Sequence, residues 1–219
     1  HLAASRSGKP VPGRLLKSQR PQSTVPVYLV EQDQYFDRAG LYQEQGQDYR
    51  DNCERFVFFC RAAVEAIRLL DLNVDMVHAN DWQTGLIPAY LKLEHRGVPP
   101  YEGIGTLFTI HNMAYQGLFW HWDMLLTGLD WKYFNWQQME FFGNLNLLKT
   151  GLIFADRLNT VADPAGRLGT PGSPQLPLVL ERRARRAGRR NRPHPLRRHP
   201  RHGVPRRRVG LCIGGRRDH

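Results

Sequence analysis

Asp75-Met76-Val77-His78-Ala79-Asn80-Asp81-Trp82-Gln83-Thr84-Gly85-Leu86-Ile87-Pro88-Ala89-Tyr90-Leu91-Lys92 is the stretch on which the fold turns. Its first six residues read as a strand, and the apolar run from Gly85 reads as a helix. Pro88 fits a helix only in the first turn, where its missing N–H costs little. That places Asp81 and Trp82 at a strand-to-helix turn. Residues 105–112, Gly-Thr-Leu-Phe-Thr-Ile-His-Asn, repeat the design: an apolar strand runs directly into polar residues. A third strand is expected at Arg157-Leu158-Asn159-Thr160-Val161, after an apolar, helix-like run from Leu145 to Phe154. Upstream, residues 25–30 read as a short buried strand with Pro26 near its start. A polar loop follows over 31–47. From about Asp51, Phe56, Phe59, Cys60, Ala63, Val64, Ile67 and Leu70 recur every three or four residues, the pattern of a helix with one buried face. Asp48 and Asp51 are its capping candidates.

Alternation of strand and helix is the βαβ pattern, so the expected fold is α/β, a doubly wound parallel sheet with flanking helices. In such sheets ligands bind outside the carboxyl ends of the strands. Residues 78–82 and 111–116 both fall there and are expected to face one cleft. The sequence holds no internal repeat, no GxGxxG turn and no GxxxxGK[ST] loop.

Charge divides the chain. Its 219 residues carry a net charge of +11, but residues 1–162 hold 15 Lys+Arg against 17 Asp+Glu, whereas residues 163–219 hold 16 Arg, no Lys and 3 Asp+Glu. The organisation read from this is an irregular lead-in over 1–24, a globular unit over 25–162 and an Arg/Pro/Gly-rich tail over 163–219. The tail has no Phe, Tyr or Trp with which to build a core and is expected to be disordered. Three readings compete for it: an arm that binds nucleic acid through phosphates, a solvated linker, or a product of out-of-frame translation. Arg, Gly, Pro, His and Ala in excess with Lys absent favour the third and argue against specific nucleic-acid binding. His194, His199, His202 and Cys212 have metal-ligand chemistry but lack paired spacing, so no metal is expected.

No run reaches the roughly 18 apolar residues of a membrane span, and the opening residues lack the apolar segment of a signal peptide. Three cysteines are too few for a disulfide scaffold, and Cys53 and Cys60 read as small buried hydrophobes. A cytoplasmic setting is expected. The first residue is His1, so the true start is expected upstream and the chain is expected to be a fragment. Oligomeric state is not legible.

Asp81 and Trp82 on one turn, with His111, Asn112, Tyr115 and Gln116 on the next, supply a carboxylate, an aromatic face and neutral hydrogen-bonding groups. That mixture suits a sugar, whose hydroxyls pair with polar side chains and whose C–H faces lie on rings. Each residue also has a structural reading: His111 as a hydrogen-bonded framework histidine, Trp82 as core, Asp81 as a helix cap.

The stretch 75–92, the run Phe108-Thr-Ile-His-Asn-Met-Ala-Tyr-Gln-Gly-Leu-Phe119 and the run Asn146-Leu-Leu-Lys-Thr-Gly-Leu-Ile-Phe-Ala-Asp-Arg-Leu-Asn-Thr-Val161 closely resemble bacterial glycogen synthase and plant starch synthase. Residues 25–30 and Tyr35-Phe-Asp-Arg-Ala-Gly-Leu-Tyr42 agree in the same order. The resemblance covers about residues 15–162. It implies part of the N-terminal, Rossmann-like lobe of a GT-B glycosyltransferase. The implied reaction is retaining transfer of glucose from ADP-glucose to the non-reducing 4-hydroxyl of an α-1,4-glucan, with no cofactor and no metal. The resemblance gives His111 the catalytic position beside the transferred glucose and gives Asp81 and Trp82 the sugar and acceptor region. Asn112, Tyr115 and Gln116 lie in a matching block. The family's Lys-x-Gly-Gly loop and its C-terminal lobe have no counterpart in these residues, so the polypeptide alone is expected to be inactive. The choice between ADP-glucose and UDP-glucose is not decided here. Two other function classes stay open: a basic-tailed nucleic-acid-binding protein and a non-catalytic glucan-binding module using Trp82 and Tyr115.

Overall fold

The computed structural model describes residues 2–6, 9–19, 21–160 and 209–212. Its centre is a parallel sheet of β6 (Val74–Asn80), β7 (Gly105–Ile110) and β11 (Arg157–Thr160), with β7 in the middle. Val77 and Ala79 of β6 and Phe108 and Ile110 of β7 are buried, whereas β11 alternates exposed and half-buried residues. Three helices pack around the sheet. Helix α2 (Asn52–Leu69) precedes β6, α3 (Leu86–Leu93) links β6 to β7, and α5 (Leu147–Phe154) leads into β11. The α/β fold expected from the sequence, a parallel sheet with flanking helices, is the one observed.

Of the stripe its periodicity predicts, α2 buries Cys60, Ala63, Val64 and Ile67, while Phe56, Phe59 and Leu70 are half-buried and Val57 and Phe58 are buried in addition. Burial pushes the Cys60 thiol up to about 12, and its Sγ–H donates to the Gln83 carbonyl at 3.2 Å. Cys60 is thus a protonated core residue rather than a nucleophile. Asp51 stands at the N-cap position of α2 but makes no side-chain cap bond. Its carboxylate instead accepts two bonds from the Arg38 guanidinium, at 2.8 and 2.5 Å. Burial works against this carboxylate, but the hydrogen bonds and charge of Arg38 outweigh it and hold its pKa below the usual range. Asp48 lies in β5 (Gln47–Asp48), which pairs with β4 (Gln43–Glu44). The polar loop over 31–47 thus contains a small hairpin, and also a one-turn helix α1 (Asp33–Phe36). It is pinned by Arg55, buried in α2, which donates to Tyr35 O at 2.7 Å and to Leu41 O at 2.8 Å.

Two expectations are corrected at the ends. The lead-in over 1–24 is not irregular: β1 (Leu2–Arg6) and β2 (Lys9–Gln19) form an antiparallel sheet with β3 (Pro26–Glu31). β3 therefore belongs to this outer sheet, and it is half-exposed rather than buried. Pro10 and Pro12 hid β2 from a propensity reading, because proline is tolerated in edge and hairpin strands while lowering strand propensity. The tail is not wholly without structure either. Val209–Cys212 forms β12, parallel to the free edge of β6. It is an apolar tetrapeptide among arginines, and an open strand edge offers unpaired N–H and C=O groups that such a segment satisfies. The remaining tail readings, including the zinc-type set at His194, His199 and His202, lie outside the described residues.

The strand-to-helix turn after β6 is held by close backbone approach. A Cβ at Gly85 would sit 2.0 Å from Leu147 O and 2.7 Å from Leu147 C, so α3 and α5 meet at a distance only glycine permits. Gly85→Ala is expected to destabilise the chain by about 1–3 kcal/mol, the usual cost of overpacking, read as a lower urea midpoint. An unchanged midpoint would show that α5 yields freely.

Candidate functional site

The register of the sheet builds the site. Asn80 pairs with Thr109, so the residues just past the two strand tips, Asp81 and His111, come side by side. The Asp81 N–H donates to Thr109 O at 2.9 Å, which extends the pairing one step. Its carboxylate then spans the tips. The His111 N–H donates to Asp81 Oδ1 at 2.7 Å, and His111 Nδ1 lies 2.9 Å from Asp81 Oδ2. A carboxylate only accepts, so Nδ1 carries the proton, and Nε2 has no hydrogen bond among the described residues. Both side chains are about 30% exposed, at 28% for His111 and 29% for Asp81. The pair therefore reaches solvent at the sheet's carboxyl edge.

Asp81 holds this position at a backbone cost. Its φ of 57° with ψ of −179° lies outside the regions L-residues favour, worth roughly 1–3 kcal/mol. Two bonds to a charged acceptor contribute on the order of 1.5–3 kcal/mol each, so the His111 contacts outweigh the strain. Asp81 does not cap the following 3-10 turn, Trp82–Thr84, with its side chain. Thr84, the last residue of the turn, donates from Oγ1 back to Asn80 O at 2.7 Å. The capping reading of Asp81 is therefore set aside, and its carboxylate is left for His111.

Trp82 takes the structural reading. Only 6% of it is exposed, and its ring packs against Phe56 at 4.8 Å, Phe119 at 5.8 Å and Tyr42 at 6.2 Å. Gly117 lies over it with φ of 60°, and a Cβ there would meet Trp82 Cε3 at 2.4 Å. The expectation that Trp82 offers an open ring face is corrected: its position directly after a strand tip turns the indole inward, where it forms the floor beneath the 111–117 loop. The other residues of that loop divide in the same way. Asn112 is exposed, and its Oδ1 accepts from the Ala114 N–H at 2.9 Å, closing a side-chain turn. Tyr115 is 53% exposed, with its ring 6.5 Å from Tyr42, and is the open aromatic of the site. Gln116 is committed to the framework: its Oε1 accepts from Asn146 Nδ2 at 2.9 Å, and its carbonyl accepts from the Leu148 N–H at 3.1 Å.

Sequence reasoning missed Asn146. It is buried, caps α5 by accepting from the Lys149 N–H at 2.8 Å, and holds Gln116 with its amide. An asparagine before an apolar helical run is a capping signal, and reading it would have moved the helix start from Leu145 to Leu147. It missed Tyr42 too, because a loop tyrosine carries no periodic signal. His78, expected at the cleft, sits inside β6, with Nε2 2.7 Å from Thr109 Oγ1. It braces the sheet.

A strand-tip carboxylate that fixes an imidazole, ringed by neutral polar groups, is chemistry for hydroxylated ligands. A sequence profile described as the starch synthase catalytic domain matches residues 8–164. The chain belongs to that family. The match begins within the stretch read as a lead-in, in accord with strand β2, and stops beside the change of composition at residue 162. The chain is 45% identical over 157 residues to a glycogen synthase of Rhodopirellula baltica, covering 68% of this chain and 31% of that protein. To a glycogen synthase of Anaeromyxobacter dehalogenans (strain 2CP-1) it is 47% identical over 164 residues, covering 74% of this chain and 34% of that protein. Among solved structures it resembles the catalytic domain of starch synthase IV from Arabidopsis thaliana bound to ADP and acarbose, with TM-score 0.62 and 25% identity over 75% of this chain and 35% of that one. The chain spans about a third of the length of these relatives. No helix among the described residues is long and apolar enough to cross a membrane.

The carboxylate's hold on His111 is directly observable. In the native chain the His111 nitrogen shifts are expected to report a proton on Nδ1 at neutral pH. In Asp81→Ala the Nε2–H form, which free imidazoles favour, should take over. Identical ¹⁵N patterns in the two proteins would show that Asp81 does not set the tautomer.

Proposed function

We propose that this chain supplies the glucose-facing wall of a retaining glucosyltransferase. It would take glucose from ADP-glucose and add it to the non-reducing 4-hydroxyl of an α-1,4-glucan. The single observation that carries the reading is the Asp81–His111 pair at adjacent strand tips, within the family match over 8–164. Names of relatives support the rest: they are glycogen synthases, and the Arabidopsis structure holds ADP and a sugar ligand. The ADP in that neighbour favours ADP-glucose over UDP-glucose. The chain's likeness is to one part of a GT-B catalytic domain, in which two lobes face across a cleft. The reading places the protein in the cytoplasm and needs no cofactor.

The residues divide the work. Asp81 fixes His111 with Nδ1 protonated, so Nε2 points its lone pair, or its proton when the ring is charged, at a sugar hydroxyl or at the carbonyl oxygen of a neighbouring peptide. His111 thereby orients the transferred glucose beside the anomeric carbon. Tyr115 offers a ring to the acceptor, and Asn112 keeps its amide N–H groups for a hydroxyl, its Oδ1 being spent on the turn. Trp82 and Gln116 act from behind, as floor and brace. The two arginines Arg55 and Arg61 of α2 are committed to the framework rather than to a departing diphosphate. Arg61 is bound to Glu94 at 2.9 Å and to Thr127 O, and Arg55 is buried in its own loop contacts. Stabilising the departing charge is commonly the largest catalytic contribution, and it falls to the second lobe. The nucleic-acid alternative rests on tail residues outside those described, and the glucan-module reading loses Trp82 as an open ring.

Purified as it stands, the 219-residue chain is expected to transfer no labelled glucose from ADP-glucose to glycogen. Flanked by the rest of the Rhodopirellula baltica relative on both sides, with that protein's own segment ahead of the matched residues and its remaining residues joined at residue 162, it is expected to transfer glucose. His111→Ala in that chimera should lower kcat at least about 100-fold, as loss of a group acting on the reacting sugar does. A folded chimera with full activity after His111→Ala would overturn the assignment.

A further inference from the structure

Beyond β8 (Leu118–Phe119) lies a row of rings that the strand-tip site does not use. Trp120, Trp122 and Trp131 are 61%, 50% and 40% exposed, yet they are not scattered. Ring centroids step from Trp120 to Trp122 in 6.4 Å, from Trp122 to Trp131 in 5.4 Å and from Trp131 to Phe134 in 5.1 Å. His121 lies 5.2 Å from each of the first two rings. Leaving three large rings together in water costs stability, and a contiguous exposed apolar row marks a binding surface.

The scaffold under the row is firm. Two 3-10 turns, His121–Asp123 and Trp131–Tyr133, present the tryptophans, and the helical turn α4 (Met124–Thr127) joins them. The Thr127 carbonyl is fixed by the buried Tyr90 hydroxyl at 2.9 Å and by Arg61 at 2.5 Å. The backbone that carries the rings is therefore set before any ligand arrives, which lowers the entropy cost of binding.

We propose that Trp120, Trp122, Trp131 and Phe134 form a second contact for the α-glucan chain, outside the Asp81–His111 pair. This rests on the glucan reading given above. Ring faces and edges spaced about one sugar apart suit the C–H faces of successive glucose units. The surrounding charge selects a neutral polymer. Lys132 is paired with Asp130 at 3.1 Å, and Asp123 stands in the first turn beside Trp122, so the row offers no free cation to a polyanion such as nucleic acid, whose binding needs phosphate neutralisation. His121 in the row and the Lys132–Asp130 pair at its rim also set it apart from a protein interface core, where charged groups are depleted. Position agrees: Trp120 follows Phe119, which packs on Trp82, the floor of the strand-tip site. A glucan lying on the row starts one residue beyond that floor.

Electrophoresis of the 219-residue chain through native gels containing glycogen tests this. Wild type should be retarded. Trp122→Ala should raise the apparent Kd at least about tenfold, the size expected for truncation of an aromatic anchor. Trp122→Phe should recover much of the affinity, and Trp136→Ala, an exposed tryptophan off the row, should leave it unchanged. Matching far-UV circular dichroism keeps the comparison among folded proteins, and Trp131→Ala gives an independent reading. Absence of retardation in wild type overturns the proposal. So does retardation that survives both Trp122→Ala and Trp131→Ala but is lost in His111→Ala, which would put the glucan at the strand tips alone. A wild-type dimer that Trp122→Ala converts to monomer without altering glycogen affinity would overturn it as well, making the row a contact between copies. None of these results bears on glucosyl transfer, which is decided by the chimera.

Discussion

One carboxylate joins the two strands that define the site. Asp81 receives both the backbone N–H and the ring N–H of His111, so a single residue sets where the imidazole stands and which nitrogen it presents. The arrangement needs a parallel pair in fixed register, because a slip of one residue would turn Asp81 to the other face of the sheet. It also needs a residue that tolerates positive φ while carrying an acceptor, a combination aspartate and asparagine offer and most residues do not. Only aspartate adds a full charge to hold the proton on Nδ1.

The support beneath this pair explains the apolar content around it. Trp82 follows Asp81 directly, and its burial among Phe56, Phe119 and Tyr42 anchors the strained turn to α2, to β8 and to the loop that Arg55 pins. Gly117 lets the 111–117 loop close over the indole, and Asn146 ties Gln116 in that loop to the start of α5. Two helices, a short strand and a loop thus converge on two residues. Rigidity of this kind matters where a reacting atom must be held within a fraction of an ångström, since small misplacements forfeit much of the several kcal/mol that alignment contributes.

The parallel core was legible because β6 and β7 set apolar residues before polar strand tips, and because Pro88 could occupy only the first turn of α3. Asp81 and His111 were legible for the same reason: strand tips are where such sheets place their ligands. What escaped depends on weakened local propensity or on tertiary contact. The strand β2 carries two prolines, which lower its strand propensity even though its partner β3 follows directly in sequence. The inward turn of Trp82 is decided by Gly117, thirty-five positions away in sequence and only 2.4 Å from the ring were it to carry a Cβ. Val209–Cys212 shows the converse, a segment without a core of its own that finds order at an open strand edge.

The two aromatic sets separate along a line that burial draws. Trp82 and Phe119 pack together beneath the strand tips, whereas Trp120 and Trp122, which follow β8, stay in water. On the proposed reading, a chain of glucose units is long relative to the Asp81–His111 pair. Holding it at a distance from the reacting end converts later encounters into intramolecular ones and raises the local concentration of acceptor termini. A polymer acceptor therefore favours a protein that spreads its contacts, with a charged pair for the single reacting sugar and neutral ring surface for the many that do not react.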